Sequence, residues 1–385
     1  MEADRARTQP LNSRAVIAAI VLLLALAVIF SPRAIRKMRD FEVYWTAASR
    51  AIEAAPLYRP EDGHFQFKYL PAFAIVSVPV ALMPLAKAKT FWFLISVALI
   101  PALLGLAVLL LPDRRRSQWT IVGALLVVMA KFYGHELVLG QVNLLFAVLV
   151  AGGVLAMRRS RDSLAGALFV AAVVVKPYAV LFLPWLVFTR GVRPLGSVTI
   201  GAICVAAAPV GLYGFAGTIA LHRAWWATVS DSTAPNLANP DNVSVPAMFA
   251  RTFANTDLGP VLAAGVSVIL LAVACVVVAR GRGIEHRESL EGALLLTLVP
   301  LLSPQGWDYV FLVATPAIAL LVNYDQRLPA GLRALTWAAM LTIGLSLFDL
   351  MGRERYGVFM SWSVITICFL VVNTSLAVLR TRRVA

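Results

Sequence analysis

Long apolar runs broken by short polar clusters set the character of this chain. The runs cover residues 14–31, 90–111, 118–136, 142–157, 163–176, 178–189, 194–216, 258–280, 289–303, 306–323, 331–349 and 357–379. A helix needs about 20 apolar residues to cross a bilayer core, and most of these runs approach that length. They do not show the alternating ~10-residue pattern of a membrane barrel. A thirteenth run, 70–85, contains Pro71, Pro79 and Pro84, which excludes one straight helix. Residues 41–55 carry Phe41, Tyr44, Trp45, Ala48 and Ile52 at helical spacing, the mark of an amphipathic helix lying at a membrane surface. The pattern predicts an all-α polytopic membrane protein, with interfacial helices in its first outer loop.

Charge decides how the runs are threaded. Basic residues gather at 114–116, 158–161, 280–287 and 380–383, between apolar runs. If 70–85 crossed the membrane, the first two clusters would fall outside. If it is re-entrant, and 163–189 makes two short crossings hinged at Lys176-Pro177, all four fall inside, as the positive-inside rule requires. This layout predicts about twelve spans with both ends cytoplasmic. It makes residues 1–385 a single integral membrane domain, with a first outer loop at 33–89 and a second at 217–257. The start resembles a signal peptide: Arg5, Arg7 and Arg14 precede Ala15–Phe30, with Ala25-Leu26-Ala27 as a candidate cleavage site. The even span count favours an uncleaved first helix.

Composition agrees. The 385 residues are 60% hydrophobic and 14% charged, against roughly 25% charged for a soluble domain. Mean hydropathy is +0.81. The net charge of +14 does not indicate nucleic-acid binding, because topology accounts for where the cations sit. Cys204, Cys275 and Cys368 lie inside apolar runs with no metal-ligand or redox spacing. No phosphate-cradling glycine loop, zinc motif or nucleophile elbow is present, so no cofactor or metal is expected.

The candidate chemistry is in the polar interruptions that this layout puts on the outer side. Asp40 follows Arg33, Arg36, Lys37 and Arg39 and is either the cap of the 41–55 helix or a reactive carboxylate. Phe67-Lys68-Tyr69-Leu70-Pro71 reads as an interface anchor or as a lysine for phosphate beside a tyrosine for sugar or lipid. His135-Glu136 and Gly140-Gln141-Val142-Asn143 put ionisable and amide groups at membrane depth, where they are costly and usually have a task. Lys176 stands in an apolar stretch beside Pro177, which favours phosphate binding over snorkelling. Trp225-Trp226 fits an aromatic belt better than a sugar platform. Ser303-Pro304-Gln305-Gly306-Trp307-Asp308-Tyr309 crowds an acid and two aromatics into one turn.

Together these motifs resemble glycosyltransferase family 87, whose members are type C membrane glycosyltransferases and include polyprenol-phosphate-mannose-dependent α-1,2-mannosyltransferases of actinobacteria. The resemblance spans about residues 38–325. It runs through Asp40 with Tyr44, Ala47 and Ala48, then Leu57-Tyr58, Phe67-Lys68-Tyr69-Leu70-Pro71, Gly140-Gln141-Val142-Asn143 and Lys176-Pro177. It continues through Asn242-Val243-Ser244 with Arg251, and the turn from Ser303 to Val310. Tyr309 and Val310 stand where the family has histidines, and Leu70 where it has a proline.

The resemblance implies a type C fold and an inverting transfer of a mannose-like hexose. The donor would be a polyprenyl-phosphate sugar and the acceptor a glycolipid or glycan, met on the extracytoplasmic face of a bacterial inner membrane. Asp40 would be the general base. Lys68, Lys176 and Arg251 would bind the donor phosphate. Tyr69, His135, Gln141, Asn143, Asn242, Trp307, Asp308 and Tyr309 would bind sugar or acceptor. A transporter or flippase would favour internal repeats, which are not seen. A lipid-linked glycan ligase, which long outer loops with paired arginines would support, and a non-catalytic assembly partner complete the range of readings.

Overall fold

A computed structural model describes residue 25, residues 28–254 and residues 256–382. Most of the first expected span, with Leu26 and Ala27 of the candidate cleavage site, lies outside these residues. Helices dominate the described residues, whose one β-type contact is an isolated bridge between Asn242 and Trp307. The chain divides into two compact units. One comprises the described residues up to Ala102 together with Gly134–Ser232; the other comprises Leu103–Tyr133 together with the described residues from Thr233 onward.

Among the described residues, four helices are long and apolar enough to cross a membrane: Leu85–Leu109, Gln118–Leu139, Leu258–Arg280 and Val364–Thr381. Leu195–Ala207 and Val210–Asp231 make a fifth if the pair, bent by 87°, is one span. Leu258–Arg280 leaves Val261, Val268, Ile269, Leu271 and Val276 exposed, a surface that suits lipid. The protein is thus a multi-pass membrane protein. These are the helices of full crossing length, against twelve crossings expected from the sequence. Several apolar runs form pieces shorter than a crossing: Asn143–Arg158, Asp162–Val175 and Ala330–Leu345.

Proline and glycine explain the breaks. The 70–85 run forms two short helices, Pro71–Val76 and Val78–Ala81, each with proline in its first turn. Neither is long enough to span. Lys176, pushed to extended backbone (φ −145°, ψ 116°) by Pro177, ends Asp162–Val175, and Phe182–Arg190 resumes after a short 3-10 turn. Residues 217–257, expected as a loop, are helical to Leu237 and again over Val245–Thr252.

In the first unit, glycine allows close helix packing. A Cβ on Gly153 would strike the Phe169 ring, and one on Gly166 the Ser197 hydroxyl. In the second unit, Phe132, Phe311 and Phe369 form a buried aromatic cluster, with Phe311 and Phe369 stacked at 3.8 Å. Tyr133 bonds Thr315 at 2.8 Å, Asn373 donates to Thr297 at 2.9 Å, and Arg380 pairs with Glu291 at 3.5 Å with both side chains fully buried.

Candidate active site

Asp40 stands in the first turn of Arg39–Ile52, the amphipathic helix expected at 41–55. Phe41, Tyr44, Ala47, Ala48 and Ala51 form its buried face. The capping reading of Asp40 fails. Met38 occupies the cap position, and no side chain caps the helix. Instead the Asp40 carboxylate accepts a 2.5 Å hydrogen bond from Gln141 Nε2.

Gln141 is itself firmly held. Its Oε1 accepts from Tyr44 at 3.0 Å, and the Tyr69 hydroxyl, 3.4 Å from the same oxygen, donates to the Tyr44 hydroxyl at 2.7 Å. The Trp92 indole donates to the carbonyls of Gly140 and Gln141 at 3.1 and 3.2 Å. Gly140 adopts φ +70°, and a Cβ there would sit 2.8 Å from Phe41 Cβ and 2.9 Å from Met38 Cε. Only glycine lets the Gly140-Gln141 turn approach the Asp40 helix this closely.

Glu136 supports the same turn. Fully buried, it accepts from Asn143 Nδ2 and from Leu144 N–H, each at 2.8 Å. The second bond satisfies one of the free amides that open Asn143–Arg158. Asn143 Oδ1 is buried and takes no hydrogen bond from the described residues.

Cations complete this group. Lys176 Nζ lies 5.2 Å from the Tyr69 ring centroid, and its charge acts on both Glu136 and Asp40. Lys68 and His64 also act electrostatically on Asp40. The 66–71 segment that carries Lys68 and Tyr69 is pinned at both backbone carbonyls. Tyr58 donates to Tyr69 O at 2.7 Å and Trp225 to Lys68 O at 3.2 Å. Trp225 therefore braces this segment, a role its sequence position did not reveal.

Burial raises the Asp40 carboxyl above its ordinary value, opposed first by the Gln141 hydrogen bond and then by Lys176, His64 and Lys68. Burial likewise lowers the Lys68 ammonium, opposed by Asp40. Tyr69 is held as a neutral phenol, its pKa pushed well up by burial.

The structure thus gathers Asp40, Lys68, Tyr69, Gln141, Asn143 and Lys176 in one unit; His135 is half-buried beside Glu136. Asn242, Arg251, Trp307, Asp308 and Tyr309 belong to the other unit. There, Asn242 is buried and spends its amide on the chain, donating to Pro304 O at 2.8 Å and accepting from Gly306 N at 3.1 Å. Arg251 donates to the carbonyls of Asn239 and Asn242 at 2.8 and 2.7 Å and to Ser363 at 2.6 Å. Gly306 is required, because a Cβ would strike Pro300 O and lie 3.0 Å from Ser244 Cβ. Asp308 pairs with Lys131 at 3.0 Å, both buried, and Lys131 Nζ lies 4.9 Å from the Tyr356 ring centroid.

Sequence reasoning did not mark Trp92 in the first unit, nor Lys131 and Tyr356 in the second. Lys131 alone had a signal, as a lysine inside the apolar run 118–136.

The model of glycosyltransferase family 87 matches residues 67–304, more than half of the chain. The chain belongs to glycosyltransferase family 87. It is therefore a membrane glycosyltransferase, acting between a sugar donor and an acceptor. No curated protein and no solved structure matches it. The family 87 match begins at Phe67, so the case for Asp40 rests on the geometry that ties it to Gln141 and Lys176.

Proposed function

We propose that this family 87 protein transfers a hexose, mannose or a close relative, from a polyprenyl-phosphate donor to a hydroxyl of a glycolipid or glycan. The reaction takes place on the extracytoplasmic face of a bacterial inner membrane, in one type C membrane domain of about twelve crossings. The observation that carries the reading is the Asp40–Gln141 hydrogen bond set among Tyr69, Lys68 and Lys176.

Asp40 acts as general base. It takes the proton of the acceptor hydroxyl as that oxygen attacks the anomeric carbon. The bond from the anomeric carbon to the phosphate oxygen breaks on the opposite face, so configuration inverts. The lipid phosphate leaves with its electron pair and its growing charge is met by Lys68 and Lys176, the electrostatic stabilisation most useful in a water-poor site. Raised basicity suits Asp40 to the proton transfer, and Gln141 fixes its direction. Asn143 offers a buried acceptor oxygen for a sugar hydroxyl, and Tyr69 and His135 are further sugar contacts. In the second unit, Trp307 and Tyr309 offer aromatic surface to a sugar. Asn242, Arg251 and Asp308 hold the 239–244 and 303–308 segments in shape.

Purified protein incubated with labelled polyprenyl-phosphate hexoses and a membrane glycolipid pool tests this. The expected product has the anomeric configuration opposite to the donor, read by NMR. A product with retained configuration contradicts the mechanism, and use of a nucleotide sugar without any lipid donor contradicts the substrate.

A further inference from the structure

The first unit folds back on itself between Asp162 and Arg190. Asp162–Val175 runs to the Lys176-Pro177 hinge and Phe182–Arg190 returns. Arg190 Nε then lies 3.6 Å from the Asp162 carboxylate, and Arg193 Nη1 4.0 Å from it. Arg190 also donates to Met157 O. These contacts fasten the turn at 157–162 to the turn at 190–194. The junction lies at the end of Asp162–Val175 away from Lys176, about 20 Å along the helix.

Cations crowd this junction. Arg158, Arg159, Arg161, Arg190 and Arg193 stand against one carboxylate, Asp162, a net charge of +4 over segments 157–164 and 187–198. Arg159 and Arg161 are exposed and make no ion pair among the described residues. Arg193 pairs with buried Asp162 yet keeps 79% of its side chain exposed, and the pairing brings it to the segment that carries Arg159 and Arg161. Other basic clusters are better matched. Arg115 pairs with Asp113 at 3.2 Å, Arg116 with Asp325 at 2.7 Å, and Arg380 with Glu291 at 3.5 Å. Like charges gathered without carboxylates repel, and an anion from outside the chain relieves them.

The surroundings say which anion. Leu164, Phe188, Val192 and Leu195 are all exposed, each within three residues of one of these arginines, and Val192 is 76% exposed. A free phosphate gains nothing from apolar surface, whereas a lipid covers it with its chains.

We propose that this junction binds an anionic glycerophospholipid, its phosphodiester met by Arg159, Arg161 and Arg193 and its acyl chains lying along Phe188, Val192 and Leu195. Arg190 and Asp162 are the frame that holds the two turns together. The site stands on the face that the charge-based threading gives to the cytoplasm, where basic clusters beside a membrane meet acidic lipid. It is separate from the transfer reaction and does not depend on it.

Native mass spectrometry of the full-length protein in neutral detergent counts bound lipid directly. Wild type should retain phosphatidylglycerol at concentrations where phosphatidylcholine, with the same chains and no net charge, stays off. Each arginine at an anionic headgroup is worth about a fivefold change in affinity. Arg159→Gln with Arg161→Gln should therefore bind phosphatidylglycerol about 25-fold more weakly, and adding Arg193→Gln should bring the loss to about 100-fold. The double variant leaves both Asp162 pairs in place, so its loss is not one of folding. Arg280→Gln with Arg282→Gln and Arg382→Gln, which takes three charges from other clusters, should stay within about twofold of wild type. Equal binding of the two lipids, or equal losses in the two triple variants, would overturn the site. So would displacement of bound phosphatidylglycerol by millimolar inorganic phosphate, which would make the junction a site for the free anion.

Discussion

Gln141 is the most informative side chain to remove. It donates to Asp40 at 2.5 Å, and among the influences on that carboxylate it is the largest that favours the ionised form. Gln141→Met keeps the length of the side chain and deletes the donor. Tyr44 loses an acceptor but keeps the Tyr69 hydroxyl at 2.7 Å, so the local packing survives. A hydrogen bond to a charged group is worth ~1.5–3 kcal/mol, equivalent to about 10- to 150-fold in rate. The sign follows from the direction of the effect. Burial has already raised Asp40, and Gln141 pulls it back. Without Gln141 the carboxyl rises further, and the base stays protonated to higher pH. The acid limb of kcat should therefore move to higher pH in Gln141→Met. The rate loss should be greatest on that limb and shrink as pH rises above it. The assay is kcat against pH for wild type and variant in detergent, with donor binding measured in parallel. A loss equal at every pH, or a limb shifted to lower pH, would refute the claim that Gln141 tunes Asp40.

Lys131→Met should destabilise the protein by about 3–5 kcal/mol by taking the cation from the buried Asp308 carboxylate, and the double variant with Asp308→Asn should recover most of it; thermal unfolding in detergent reads this. Lys176→Met should weaken donor binding and slow transfer, with Lys176→Arg keeping part of both, because a point charge near phosphate matters more than its shape; unchanged donor affinity in the Met variant would return Lys176 to an interface anchor. In a background lacking Cys204, Cys275 and Cys368, a cysteine at Glu61 should react with a membrane-impermeant reagent from outside and one at Arg115 should not; labelling of Arg115 from outside would reverse the charge-based threading.

Local chemistry was legible in the sequence. The proline breaks in 70–85, the Lys176-Pro177 hinge and the amphipathic helix at Asp40 all follow from residues acting on their neighbours. The Gly140-Gln141 turn was marked, but not its purpose; φ +70° and the approach of Phe41 appear only when two distant segments meet. Helix ends drifted for a similar reason. Gln118–Leu139 runs past the expected end at 136 because buried Glu136 bonds onward to Asn143 and Leu144 rather than stopping the helix. Some apolar runs form helices shorter than a full crossing, as at Lys176-Pro177, because proline cuts segments whose composition alone reads as continuous. Lys131 and Asp308 were each visible as charges in apolar surroundings, but their pairing, like the bracing by Trp225, joins segments far apart in the chain.

The central claim is that Asp40 takes the acceptor proton. Single-turnover transfer from a labelled polyprenyl-phosphate hexose, measured for wild type and Asp40→Asn with donor affinity recorded on the same samples, tests it most directly. The Asn variant should bind donor as wild type does and transfer at least ~10²-fold more slowly, the usual worth of a general base. Near-normal transfer by a folded, donor-binding Asp40→Asn protein would contradict the account.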